Sequence, residues 1–550
     1  MKNKRINSGV GTNGWDVISM MDVNTLNKQI NSNSDYMPPS NFDSSILAMG
    51  ENLSIKGSWG EWLIDSQSDG GLIYMHCIIE SGVVSFNGEN YDMNEGNKES
   101  FVVIIVKLAG TEVPVNKWNS DDDTSIVVPG QTHSFEIKIC DNQTYNIVVV
   151  DLQLSNPIMS DTATTTFVSS AFEQWFNDNK QSFEQIFSIV LIGLEAKDPS
   201  YQWLKPTAYS YAAASSLDNS LTAFGSLTLV DGNTDTSHLA STLDLQALSW
   251  AIKNGANTAI VVSNIKFTQH ILLDAAISVI KGASSDDFIF DETGLVIKNK
   301  NEIEWQDFEA DDGKIYTPVI PQNGFLMSVQ SDYININIQG AYFYPNAGHK
   351  AVMGLDQNFR FSVGYNSAGD PVFVVKDDGM GDATITSVII PTDGVVKSEK
   401  IGIVVSIIAG IICAFTGFVT KCADAALETL TLGADSAYAA FLGAESTFVA
   451  ETTVDVVSTA AEIAAGSTAA APSIFNTVKV ASAILAGISG TVVIGEDLAD
   501  AIYSNKYQNI PSFEFFADNI AAAIKWPTDS KLELISATIE DCFLIGVNYK

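Results

Sequence analysis

The residues able to do chemistry are few and scattered. Five histidines, His76, His133, His238, His270 and His349, are spread over 550 residues, and none stands at metal-ligand spacing from another. Five cysteines, Cys77, Cys140, Cys413, Cys422 and Cys542, give an odd count, long separations and no CxxC pair. They suggest neither a zinc site nor a disulfide framework, and read as small buried apolar groups. Gly9-Val10-Gly11-Thr12-Asn13-Gly14 has the form GxGxxG, but no strand precedes it and no helix opens after it, as dinucleotide binding requires. Asp121-Asp122-Asp123 and the pair Asp231 and Asp235 carry oxygen ligands suited to calcium, yet read better as solvated loops. The 65 acidic residues offer many carboxylate pairs for glycoside chemistry, and no spacing selects one. No GxSxG elbow, HExxH helix, Walker A loop or EF-hand loop is present. The expectation is a protein without catalytic residues, metal or cofactor.

Composition narrows the partners. The formal charge is −36, from 65 acidic and 29 basic residues, and the only arginines are Arg5 and Arg360. Such a surface repels polyanions and has no lysine and arginine array to displace counterions from phosphates, which excludes nucleic acid. A broad basic face for anionic membranes is excluded on the same ground, so membrane contact would be hydrophobic or local. Hydrophobic residues at 46% against 17% charged rule out general disorder. The length exceeds one ordinary core, so about two or three domains or subdomains are expected. Lys2, Lys4 and Arg5 are followed by no apolar stretch, so no Sec signal peptide is read. The expected location is cytoplasmic at synthesis, with release by a non-Sec route.

The elements that must position any site change period along the chain. After a polar lead-in over 1–14, residues 15–154 read mainly as strands, with β-branched and aromatic runs at 72–79 and 101–106. Phe172, Trp175, Phe176, Phe183, Ile186, Phe187, Val190, Leu191 and Leu194 then recur at three- and four-residue spacing. This reads as one amphipathic helix of about 25 residues, with five aromatic rings on a broad face that needs a concave partner. Strands follow at 221–230 and 258–265. A second amphipathic helix is read near 269–280, placing Ile271, Leu272, Ala275, Ala276, Val279 and Ile280 on one side. Further strands are read at 324–329, 333–339, 359–365 and 372–376. The strict alternation of 333–339 marks a sheet wet on one face only.

Beyond Lys400 the composition turns apolar. Residues 401–419 carry no charge, 423–471 are alanine-rich, and a second apolar segment spans 480–495. The first segment has the length of a membrane span, but it contains Gly402, Gly410 and Gly417, without an aromatic belt or polybasic flank. It reads as a helical hairpin packed on the body or over a groove, with conditional membrane insertion as the rival. Ile401, Val404, Ile408, Ile411, Phe415, Val480, Ile484 and Ile488 form its apolar side. Strand-like alternation returns over 531–547, so 398–510 reads as a hydrophobic helical insertion and 511–550 as closing strands.

Particular stretches resemble a known family. They are Thr12-Asn13-Gly14-Trp15-Asp16-Val17-Ile18-Ser19, Val23-Asn24-Thr25-Leu26-Asn27-Lys28-Gln29, Ile55-Lys56-Gly57-Ser58-Trp59-Gly60-Glu61-Trp62 and Gly70-Gly71-Leu72-Ile73-Tyr74-Met75 with Ser81-Gly82. To these are added Phe183-Glu184-Gln185-Ile186-Phe187 and Trp203-Leu204-Lys205-Pro206-Thr207-Ala208-Tyr209-Ser210-Tyr211-Ala212. Together they resemble the OrfX family of clostridial toxin-cluster accessory proteins, over most of 12–395. That family is similar in fold to the tubular lipid-binding (TULIP) superfamily.

The resemblance implies an α+β, TULIP-like fold, with long amphipathic helices wrapped by strongly curved antiparallel β-sheets. Halves are expected at 15–200 and 201–397. It implies an apolar tunnel for lipid or fatty acid beside a bacterial neurotoxin or insecticidal toxin, and no catalytic residues. Phe172, Trp175, Phe176, Phe183, Phe187, Ile271 and Leu272 are the candidate lining. Trp59, Trp62 and Trp203 are read either as core or as the cavity mouth. The partners expected are lipid, toxin or other products of the same gene cluster, and a host membrane. The rival functions are a membrane-inserting pore or translocation component using 401–495, and a protein-binding scaffold.

Overall fold

The computed structural model describes residues 9–32, 37–96, 98–114, 133–139, 147–156, 162–183, 186, 189–191, 203–305, 307–309, 314–346, 349–365, 371–375, 384–391, 430–432 and 532–549. The chain divides into two compact units.

The described residues of the first unit lie within 10–263, 532–536 and 544–549. Its first sheet contains β1 (Val17–Asp22), flanked on both sides by antiparallel strands that arrive later in the sequence. Helix α1 (Val23–Ser32) follows β1 directly, with the Asp22 carboxylate accepting the Thr25 N–H at 3.1 Å as a cap. Next come β2 (Asn41–Ala48), β3 (Glu51–Ile64), β4 (Ile73–Phe86), β5 (Glu89–Asp92), β6 (Phe101–Val106), β7 (Leu108–Pro114), β8 (His133–Ile139) and β9 (Ile147–Gln153). Helix α2 spans Thr162–Asp178. It is followed by β10 (Ile189–Leu191), β11 (Ala208–Ser215), β12 (Thr222–Leu229), helix α3 (Leu245–Lys253) and β13 (Thr258–Ser263). One sheet runs β11-β12-β1-β13 and is extended by the strands Cys542–Tyr549 and Leu532–Ile539. A second runs β2-β3-β4-β6-β9 with β5 on β4, and a third runs β10-β8-β7. The closing strands read from the C-terminal alternation therefore add to a sheet that β1 began.

The Asn-Gly-Trp-Asp element sets the start of β1. Asn13 and Gly14 both adopt positive φ (51° and 89°), the turn that Asn-Gly favours. Trp15 is buried and donates its indole N–H to the Ala240 carbonyl at 2.9 Å. The Asp16 carboxylate accepts the Val230 N–H at 2.9 Å. Gly11 donates its N–H to the Asp244 carboxylate at 3.0 Å, and Asp244 also caps α3 by accepting from the Gln246 N–H. The GxGxxG-like run thus spends this backbone donor on the protein's own carboxylate.

The described residues of the second unit lie within 264–391, 430–432 and 537–543, with Gly9. Its main sheet runs Phe288–Phe290, Val296–Asn299, Phe325–Val329, Ile334–Asn346, His349–Phe359, Thr384–Pro391 and Leu430–Leu432, the last pairing in parallel. Ile334, Ile336 and Ile338 are buried. Asn335 points the other way and donates to Asp356 at 2.6 Å and Asn358 at 2.9 Å. The alternation read from sequence is this one wet face.

Among the described residues the architecture is largely antiparallel sheet, and the helices are shorter than the wrapped long helices expected. The aromatic stretch is not one helix to 194: α2 ends at Asp178, and Lys180–Ser182 forms a 3₁₀ turn. At Asn179 the backbone leaves the helical region (φ −110°, ψ 17°), and its side-chain Nδ2 donates to the Trp175 carbonyl at 2.8 Å. The second expected helix is present: Asn264–Val279 is one continuous helical stretch with a π-helical turn at Thr268–Leu272, and it buries Ile271, Leu272, Ala275 and Ala276, with Ile280 at its end. The expected hairpin residues Ile401, Val404, Ile408, Ile411, Phe415, Val480, Ile484 and Ile488 lie outside the described residues. So does the expected helical insertion over 398–510 except Leu430–Leu432, which is a strand paired in parallel with Thr384–Pro391 and not part of a helix. Among the described residues, no helix is long and apolar enough to cross a membrane.

Candidate functional site

Among the described residues the chemistry-bearing side chains do not converge. Among the described residues, no group of three or more His, Cys, Asp or Glu could hold a metal ion. His76 is the nearest approach: its Nδ1 lies 3.9 Å from Asp65 and its Nε2 3.9 Å from Glu99, with the ring over Phe101. Both contacts are too long for hydrogen bonds. Cys77 is buried, and burial pushes its thiol well up from the ordinary range, the opposite of a nucleophile's activation.

Aromatic residues do converge. In β3 the register runs Ser58↔Ser81, Trp59↔Ile79 and Trp62↔Cys77. Three steps on β3 therefore match two on β4, which is a bulge over Gly60-Glu61. Ile79 and Cys77 share one face of β4, so the bulge turns Trp59 and Trp62 to that same face. Regular strand geometry would have sent them to opposite faces.

Helix α2 packs over this face. Its spacing Val168, Ala171, Phe172, Trp175, Phe176 gives one buried stripe. Trp59 lies 5.6 Å from Phe172, 5.3 Å from Trp175 and 5.4 Å from Phe176, ring centre to ring centre. Trp62 is 5.6 Å from Phe176 and 5.2 Å from Phe183, both edge-on. Phe42 on β2 closes the side at 4.6 Å from Trp59. Such pairs add about 0.5–1.5 kcal/mol each beyond the area they bury.

The candidate lining residues Phe172, Trp175, Phe176 and Phe183 are thus brought together, packed ring against ring. Ile271 and Leu272 are buried in the second unit, within the π-helical turn. Phe187 lies outside the described residues. Trp59 and Trp62 are interior, at 5% and 0% exposure. Their indole N–H groups nevertheless have no hydrogen-bond acceptor. Sequence reasoning could not anticipate that, because the bulge that aims the two rings leaves no mark but the Gly60 between them.

Two helices are tied to strand edges by side chains. On α1, Asn27 accepts the Ile64 N–H at 2.8 Å and donates to the Ile64 carbonyl at 3.2 Å. Asn31 does the same for Trp62, at 3.0 and 2.8 Å. On α2, Asn177 pairs with both main-chain groups of Ile147, and Glu173 accepts the Val149 N–H at 3.2 Å. These ties hold the two walls of the aromatic cluster in place.

Residues 12–437 match the model of a family described as OrfX-like, Protein OrfX2/OrfX3/P47. P47 from Clostridium botulinum A2 superposes with a TM-score of 0.59 at 15% identity, covering 98% of each chain. P47 of Clostridium botulinum E1 gives 0.56 at 14% identity, covering 98% of this chain and 99% of that one. A lipopolysaccharide binding protein reaches only 0.21 at 9% identity, too low to indicate a shared fold. None of the curated proteins matches the chain.

Proposed function

The chain belongs to the OrfX-like family of OrfX2, OrfX3 and P47, and from that premise we propose that it is a non-enzymatic accessory protein of a bacterial toxin system that holds a lipid or other apolar ligand inside a tubular, curved-sheet body. One observation supports the ligand reading above others: the aromatic interior between β3 and α2, closed on itself, contains two polar donors with no partner. Apolar pockets with a few convergent polar groups are the usual form of a small-molecule site. Its partners are lipid and other products of the same gene cluster, and its acidic surface keeps it off nucleic acid.

Native mass spectrometry of the chain purified without detergent tests this. An added mass that is removed by organic extraction and restored by acyl lipid supports the reading. A chain that never carries or takes up lipid refutes it.

A second reading, a docking scaffold within a toxin assembly, has its own observation. The β2–β3 turn, with Met49 and Gly50 at positive φ, holds Leu47 at 78% and Met49 at 77% exposure. Large apolar side chains at a protruding tip suit contact with another protein. Co-purification with products of neighbouring genes distinguishes the two.

A further inference from the structure

Buried donors are nearly always paired, because an unpaired one forfeits its hydration for nothing. Trp59 and Trp62 break this rule together. Register opposite Ile79 and Cys77 puts them on one face, and their rings meet edge to face at 5.5 Å. Around them stand Phe42, Phe172, Trp175, Phe176 and Phe183. These rings offer apolar faces and no lone pair.

The chemistry of such a place selects its guest. A water between two N–H donors would bring two O–H groups that also need acceptors, and phenylalanine rings supply none. A hydroxyl or protonated acid brings one such group. An ionised carboxylate or phosphate would shed its hydration with no cation among these residues to replace it. An ester carbonyl has two lone pairs, no hydrogen and no charge. We propose that Trp59 and Trp62 anchor the ester carbonyl of a neutral acyl lipid, whose hydrocarbon chain lies against the rings of α2. The inference rests on the ligand-binding reading above and names its substrate class: neutral acyl esters in preference to free fatty acid. The bulge at Gly60-Glu61 is the device that brings both indoles to one face of the sheet.

The test uses the full chain with ¹⁵N-labelled tryptophan, which gives nine indole N–H resonances. Trp59→Phe and Trp62→Phe each remove one resonance and so assign the pair. Replacing each tryptophan by benzothienylalanine, which keeps ring size and swaps the N–H for sulfur, serves if either phenylalanine variant fails to fold. The probes are monoolein, oleate at pH 8 and octadecane. Monoolein is expected to move both resonances downfield, while octadecane does not. Oleate is expected to bind about tenfold more weakly than monoolein, and loss of either N–H is expected to weaken monoolein binding by about tenfold. Monoolein binding seen by native mass spectrometry with both resonances unmoved overturns the anchor and leaves lipid binding standing. Oleate moving them as tightly as monoolein overturns the preference for neutral esters. Failure of every probe to bind overturns the ligand-binding reading itself.

Discussion

Asn31 stands beside Trp62 where a neighbouring strand would stand: its Nδ2 donates to the Trp62 carbonyl at 2.8 Å, and its Oδ1 accepts the Trp62 N–H at 3.0 Å. Strand β2 pairs with β3 only as far as Ser58, so the edge beyond it is open to α1. Asn27 repeats the contact at Ile64. The match is geometric, since four helix residues rise about 6.0 Å and two strand residues about 6.6–6.8 Å. Two amides at i and i+4 thus imitate the edge of a strand, and the helix fixes the backbone that carries Trp62.

Removing this clamp leaves two main-chain groups without partners in a part-buried place. Asn31→Ala is expected to cost about 1–3 kcal/mol of stability, measured by urea unfolding. A change below about 0.5 kcal/mol would show that water replaces the amide freely.

Asn177 and Glu173 do the same work at the edge of β9. In Asn177→Ala, amide exchange at Ile147 and Val149 is expected to quicken by about tenfold, read by hydrogen-exchange mass spectrometry, with β4 and β6 unchanged. Equal acceleration throughout the sheet would mean global destabilisation and no local clamp.

Burial raises the Cys77 thiol. The native state therefore keeps its proton at pH values where the unfolded chain has lost it. Stability is complete below the unfolded value of about 8.5 and falls above it, by at most about 1.4 kcal/mol per pH unit from this group. Denaturation between pH 8 and 10 should show that slope, and Cys77→Ala should flatten it by one proton. An identical slope in both proteins would contradict the assignment.

How much of this was legible from sequence depends on the kind of signal. β4 and β6 announced themselves by β-branched runs, and Ile334, Ile336 and Ile338 by strict alternation. The grouping of Phe172, Trp175, Phe176 and Phe183 was legible as an apolar face. The helix length was not, because Phe183 and Ile186 continue the three–four spacing after Asn179 has ended the helix. Their burial comes from a chain that turns and packs back, which mimics helical period. The common face of Trp59 and Trp62 was hidden for the opposite reason: a bulge overrode the period of two. The Asn27 and Asn31 clamp was hidden because an amide on a helix looks like any solvated residue until a strand edge is placed beside it.

Leu47 and Met49 bear on the docking reading. Leu47→Ser with Met49→Ser is expected to leave the unfolding midpoint unchanged, since neither side chain is packed. If the tip docks, the double variant loses co-purification with the products of neighbouring genes. Retained co-purification would assign that contact to another surface.

The most direct test of the account is tryptophan emission in the presence of a monoacylglycerol brominated in mid-chain, because bromine quenches indoles only at contact distance. The account expects saturable quenching that shrinks when Trp59 and Trp62 are both replaced by phenylalanine. Emission that is indifferent to the brominated lipid at all concentrations would contradict it.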